Sequence, residues 1–280
     1  MHGTINSAVL SQLGSYYRRL GLKYMLRGLP YERCAELPWV IEYLQPHFGQ
    51  QLRYLDIGSG ESPLPTFLFQ RSRWDITCLD KFRSVQRQNR FCDAAGVTDR
   101  RRFRVMQADL LNTDMPDSAF DVITCISVIE HFEGRSDSRA MRIAAALLRP
   151  GGTMVLSTPV NEPYFAEFYV NRPTYGVPYS GTPVYYQRHY DVKGIAERLV
   201  EPSGLFEQHR VYFGEYGFQC FERILQLPKP VRALYAWNTP WLASRFLKYG
   251  PQPVSRKTMR TNTASGVIVV LKKPSASTLA

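Results

Sequence analysis

Apolar positions change their period along the chain. Val9, Leu13, Tyr16, Tyr17, Leu20 and Tyr24 recur at helical spacing, with basic residues between them, so 8–26 is expected to be a helix that Pro30 terminates. A second short helix is expected over 35–44, ended by Pro46 and Gly49. From there the pattern becomes short, dense apolar runs. Residues 52–57, 74–79, 103–108, 120–126 and 153–158 read as strands, and 64–70, 84–95 and 136–148 as the helices between them. The run FDVITCI at 120–126 is apolar almost throughout, as a strand covered on both faces should be. This alternation argues for a parallel sheet.

Beyond Pro159 the period weakens. Tyr164, Tyr169, Tyr175, Tyr179, Tyr185, Tyr186 and Tyr190 crowd one segment rich in proline and glycine. A helix over 192–199 and a strand over 206–213 follow. Residues 217–250 look helical but are interrupted by Pro228, Pro230 and Pro240. GVIVVL at 266–271 is a last strand, and 274–280 reads as a disordered tail. The expected fold is therefore α/β: a Rossmann-like, doubly wound, mostly parallel seven-stranded sheet with helices on both faces. The expected organisation is an N-terminal helical cap over 1–50 and a main domain over 51–273, with lid-forming insertions at 160–190 and 217–262.

Composition narrows the function classes. With 44% hydrophobic and 21% charged residues, the 280-residue chain is neither disordered nor fibrous. No apolar run approaches the ~20 residues that a membrane-spanning helix needs, and the N-terminus has no leader pattern, so a cytoplasmic protein is expected. Five scattered cysteines, Cys34, Cys78, Cys92, Cys125 and Cys220, suggest neither a disulfide framework nor a metal cluster. The net charge of +11 favours anionic partners. Lys81, Arg83, Arg87, Arg90, Arg100, Arg101, Arg102 and Arg104 supply much of it, and Arg256, Lys257 and Arg260 form a second group. No aromatic-plus-basic motif accompanies this charge, which disfavours nucleic acid and leaves peripheral contact with an anionic membrane open.

The chemistry concentrates in LDIGSGES at 55–62, where a strand ends in an acid and runs into a glycine turn. Glycine admits positive φ and close approach of a ligand to the backbone. Asp80 ends the next strand 20 residues after Gly60, where a carboxylate can accept from both hydroxyls of a ribose. Asp109 ends the third strand, placed to accept from an adenine amino group. Three acids at successive strand ends line one carboxyl edge, where open α/β sheets bind ligands.

In order along the chain, LDIGSG (55–60), CLDKF (78–82), QADL (107–110), FDVITCISVIEHF (120–132) and LLRPGGTMVLSTP (147–159) resemble the class I S-adenosylmethionine-dependent methyltransferases. The similarity is to their ubiquinone-biosynthesis-like, small-molecule branch and covers residues 50–160 well. The sequence departs from the family where Ser62, followed by Pro63 and Pro65, replaces a frequent third glycine. The resemblance implies S-adenosylmethionine as cofactor. Asp56, Gly58, Ser59 and Gly60 would approach its methionine part, and Asp80 its ribose with Lys81 alongside. Asp109 and Leu110 would flank its adenine, and Ile126, Ser127 and Val128 would line the region of the sulfonium. A cationic sulfonium suits an acidic edge in an otherwise basic protein. The competing nicotinamide dehydrogenase reading lacks a full GxGxxG.

Removing a proton from an acceptor hydroxyl suits a histidine, and His131 and His189 are the candidates. Against this, Glu130-His131 could simply cap a following helix. Tyr185 and Tyr186 are candidate acceptor contacts, since aromatic walls suit flat or sugar-like molecules. The leading expectation is O-methylation of a small molecule or of a sugar or natural-product intermediate, with an anionic or carrier-bound acceptor suiting the basic rim. N- or C-methylation, RNA or protein methylation, and a non-catalytic cofactor-binding protein are the alternatives.

Overall fold

The computed structural model of the protein describes residues 3–162, 165–228, 231, 232, 235, 238–254 and 265–275. Its core strands are β2 (Arg53–Ile57), β3 (Asp75–Asp80), β4 (Phe103–Gln107), β5 (Phe120–Ile126) and β6 (Leu148–Pro159), all parallel to their neighbours in the order β6-β5-β2-β3-β4. Beyond β6 lie β11 (Gly266–Lys272) and β9 (Phe206–Gly214), each antiparallel to the strand before it. These are the seven expected strands, but the sheet has nine. Two short edge strands, β10 (Lys248–Gly250) and β1 (Gly3–Thr4), extend it past β9. Segments of two or three residues carry no readable period, which is why the pattern of the chain does not announce them.

Alternation along each strand divides the core into two layers. Tyr54, Ile76, Val122, Val155 and Ile268 face one cluster; Leu55, Ile57, Ile123, Leu156 and Val267 face the other. The first layer is closed by α1 (Ser7–Arg19), α3 (Arg33–Leu44), α4 (Leu64–Arg71) and α5 (Gln88–Ala94). The second is closed by α6 (Ser136–Leu147), through Ala140, Met141 and Ala144, together with Ile195 and Leu199. Both faces of the sheet are therefore apolar, consistent with the unbroken run in β5.

The expected helix over 8–26 is two helices, because Gly21 adopts φ +104° between α1 and α2 (Leu22–Arg27). Asn6 caps α1 by accepting from the amides of Ala8 (3.0 Å) and Val9 (3.1 Å). The tyrosine-rich segment contains an antiparallel hairpin, β7 (Ala166–Val170) and β8 (Val184–His189), outside the main sheet. Arg188, fully buried, fastens β8 to the loop after β5. Its guanidinium donates to the carbonyls of Phe132 (2.7 Å) and Gly134 (3.0 Å), to Asp137 (2.9 Å) and to the Tyr185 hydroxyl (2.7 Å). A buried guanidinium is tolerable because its donors are satisfied.

The described part of 217–262 packs on the N-terminal helices. The Tyr31 ring stacks on Phe221 at 4.7 Å, and Tyr249 donates to the Ala35 carbonyl at 2.6 Å. Tyr164, residues 255–264, with Arg256, Lys257 and Arg260, and residues 276–280 of the expected tail lie outside the described residues. No helix among the described residues is long and apolar enough to cross a membrane.

Candidate functional site

At the end of β2 the chain turns sharply against β3. The amides of Gly58 (2.7 Å) and Ser59 (3.1 Å) both donate to the Leu79 carbonyl. Gly58 has φ +73° and Gly60 φ +43°, conformations that side chains rarely adopt. A Cβ on Gly58 would also meet Val128 Cγ2 at 2.3 Å. Ser59 is buried and donates to the Asp56 carbonyl at 2.8 Å. Gln88, fully buried on α5, holds the whole turn: its amide donates to the carbonyls of Ser59 (3.2 Å), Gly60 (3.2 Å) and Ser62 (2.9 Å). Sequence reasoning missed Gln88, whose partners lie more than 25 residues away.

Beside this turn opens a cavity of about 560 Å³ at the carboxyl edge of the sheet. Gly58, Asp80, Lys81, Asp109 and Leu110 line it, as do Val128, His131 and Tyr185. Asp80 accepts from the amides of Gly60 (3.1 Å) and Phe82 (2.8 Å), which fixes the carboxylate at the rim. Burial raises its affinity for a proton above that of an ordinary carboxyl, and these two amides oppose that. Asp109 accepts from the Leu111 amide at 3.0 Å and caps a short turn over Leu110–Asn112.

Other predicted residues stand behind the wall. Asp56 is buried, accepts from the Thr124 hydroxyl at 2.6 Å, and is pushed up to about 6 by burial. Ile126 faces the layer closed by α3. Ser127, with φ +46°, donates through its hydroxyl to Glu36 at 2.5 Å; Ser157 donates to the same carboxylate at 2.8 Å. Arg33 pairs with Glu36 and donates to the Ser127 carbonyl at 3.3 Å. Through these bonds α3 clamps the loop that carries Val128 and His131.

His131 and His189 separate clearly. His189 is buried against Phe168 (ring centroids 4.5 Å), with Nε2 2.9 Å from Gln187 Nε2, and is not among the residues lining the cavity. His131 lines it, with Nδ1 2.9 Å from the Tyr186 carbonyl. A carbonyl only accepts, so this bond places the proton on Nδ1 and leaves Nε2 with the lone pair. Burial lowers the imidazole to about 4, so it is neutral at physiological pH rather than titrating near 7. Its neighbour Glu130 is buried, with Oε1 3.8 Å from Nε2, and burial raises it to about 8. Tyr186 contributes its backbone carbonyl and a ring 5.8 Å from His131. Tyr185 lines the cavity while its hydroxyl donates to the Glu130 carbonyl at 2.7 Å.

Of the two expected insertions, the first contributes to the cavity wall: Thr174, Tyr175, Val177 and Pro178 line it. No described residue of 217–254 does, although this segment leaves the sheet at the same edge, because β9 runs parallel to β6. Tyr175 is one of seven tyrosines in residues 160–190. Its backbone turn and its contact with His131 distinguish it.

Solved structures share this fold. A 1,6-didemethyltoxoflavin-N1-methyltransferase from Burkholderia thailandensis, crystallised with S-adenosylhomocysteine, superimposes with a TM-score of 0.54 at 14% identity, covering 95% of this chain and 87% of that one. A coclaurine N-methyltransferase bound to N-methylheliamine and SAH gives 0.54 at 14% identity, covering 85% and 72%. The [4+2]-cyclase SpnF gives 0.53 at 13% identity, covering 98% of each. Likeness at this level speaks for the fold alone, and the cyclase shows that one scaffold hosts different chemistries. No curated protein matches the sequence. A family model described as a methyltransferase domain matches residues 29–199, well over half of the chain and all of the glycine turn, the three strand-end acids and His131. The chain belongs to the methyltransferase-domain family.

Proposed function

We propose that the protein is a small-molecule methyltransferase using S-adenosylmethionine at the carboxyl-edge cavity. The observation that carries this reading is Gly58 and Asp80 lining one open volume, with the Gly60 amide fixing the Asp80 carboxylate at 3.1 Å. The backbone is bare where a ligand comes closest, and a fixed carboxylate stands one strand away. The cavity suits the cofactor in volume and in the sign of its rim. Asp80 would hold the ribose hydroxyls, Asp109 and Leu110 the adenine, and the turn at Gly58–Gly60 and Val128 the methionine end, with Lys81 alongside. The cofactor supplies a methyl group already activated by its sulfonium.

The chain's own residues then have three tasks. They align the acceptor, exclude water and receive a proton. The loop around Tyr175 covers the cavity, and Glu36, Ser127 and Arg33 fix the wall opposite. His131, neutral and with Nε2 free of the Tyr186 bond, is the proton acceptor for a hydroxyl nucleophile. His189 has no such place. O-methylation of a small molecule remains the favoured reading because a hydroxyl nucleophile needs such a base. N-methylation is the second reading; two proteins of like fold are N-methyltransferases. The basic surface favours an anionic or carrier-bound acceptor. Incubating the protein with extract and methyl-labelled S-adenosylmethionine, followed by mass spectrometry, tests the reading. A labelled small molecule dependent on His131 supports it; label only in RNA or protein, or none, overturns it.

A further inference from the structure

Tyr175 lines the cavity and sets its hydroxyl against His131. It belongs to a tight turn in which Thr174 and Val177 exchange both backbone hydrogen bonds, at 3.0 and 2.9 Å. Both central residues have positive φ, Tyr175 at +52° and Gly176 at +82°. Such turns favour asparagine or glycine at the first position, and a tyrosine there is strained. Strain persists where the surroundings over-determine it. Here the surroundings hold the side chain: its hydroxyl is 2.9 Å from Nδ1 and 3.3 Å from Nε2 of His131. Its ring lies parallel to that of Tyr186, 2° between planes at 6.0 Å, and 5.9 Å from the ring of Phe82. The ring is half-buried within the cavity wall.

We infer that Tyr175 is an internal stand-in for the methyl acceptor, and that the acceptor is a planar aromatic molecule bearing a hydroxyl, which takes its place when the turn swings out. This rests on the reading of the cavity as a methyl-transfer site. The slot offers the parallel ring of Tyr186 and the ring of Phe82 tilted by 34°, which reward a flat ring over a saturated one. At its end stands the His131 imidazole, whose unprotonated Nε2 lies 3.3 Å from the Tyr175 hydroxyl. When the acceptor replaces Tyr175, its hydroxyl oxygen forms the bond to the methyl carbon. The sulfur–carbon bond breaks with its electron pair passing to sulfur. The hydroxyl proton passes to Nε2 of His131 and from there to solvent.

The test is the Tyr175→Gly variant with 4-methylphenol, the side chain that the substitution removes. Glycine relieves the positive φ, so the variant should fold at least as well as the parent. By calorimetry without cofactor, 4-methylphenol should bind the variant at least about tenfold more tightly than the wild-type protein, a difference of ~1.4 kcal/mol. With S-adenosylmethionine present, the variant should form 4-methylanisole, while cyclohexanol should be neither bound nor methylated. Tyr175→Phe, which keeps the ring in the slot, should gain nothing. Equal binding of 4-methylphenol to the variant and the wild-type protein, or equal use of cyclohexanol, would overturn the inference. Absence of S-adenosylmethionine binding to the wild-type protein would instead reject the methyl-transfer reading, with the cofactor-free binding result still deciding the slot.

Discussion

Gly58 and Val128 are locked together: the α-carbon of one has room for no side chain because the isopropyl group of the other fills that space, with Cγ2 2.3 Å and Cγ1 2.6 Å from where a Cβ would stand. The glycine is thus required twice over, by its φ of +73° and by the packing of the loop after β5 onto the turn after β2. Gly58→Ala should cost the backbone strain, about 1–2 kcal/mol, plus the displacement of Val128. A double-mutant cycle with Val128→Gly, followed by denaturant unfolding, separates the two. The second substitution should return the packing part and leave the strain. Strict additivity would show that the contact carries no energy.

Gln88 makes a second prediction, since one side-chain amide serves three carbonyls of the turn. Gln88→Leu should leave those acceptors without their buried donor and cost about 1–3 kcal/mol. The loss should appear locally. Hydrogen exchange of the amides at 59–62 should quicken more than that of β5, and cofactor affinity should fall with it. Unchanged exchange at 59–62 would mean that the turn holds itself.

Burial of Glu130 and His131 predicts opposite pH effects. Glu130 rises from 4.5 to about 8, so between those values the folded chain keeps a proton that the unfolded chain has lost. Its contribution to stability therefore falls as pH rises from 4.5 to 8. His131 drops from 6.5 to about 4, so in that window the unfolded chain takes up a proton that the fold refuses, and stability falls as pH falls. Thermal melts should show Glu130→Gln gaining on the wild-type protein as pH is raised from 4.5 to 8, at about 2–4 °C per kcal/mol. His131→Asn should be spared the loss that the wild-type protein suffers between pH 6.5 and 4. A pH-independent gap for either variant contradicts its assignment. Turnover of the wild-type protein should show no histidine limb near neutrality.

What the sequence made legible follows from how local each signal is. The strand 53–57 with its glycine turn, the apolar β5, and Asp80 at 20 residues' distance all announce themselves within short windows. Gln88 and Glu36 do not, because their meaning lies in partners 26 to 121 residues away. His189 stood as a second candidate behind His131, since alternation along β8 says that neighbours face opposite ways but not which way is the cavity. Among the seven tyrosines, composition marks the segment. The turn conformation of residues 174–177 and the contact with His131 single out Tyr175.

The central claim, a cofactor cradle formed by the glycine turn and Asp80, is tested most directly by titrating S-adenosylmethionine into the purified protein and into Asp80→Ala. The wild-type protein should bind one equivalent. The variant should bind about 10–100-fold more weakly, the ~1.5–3 kcal/mol expected for losing charge-assisted bonds to the ribose. Because Asp80 also accepts from the amides of Gly60 and Phe82, circular dichroism must first show the variant folded. A folded variant that binds as tightly as the wild-type protein, or a wild-type protein that does not bind at all, would contradict the account.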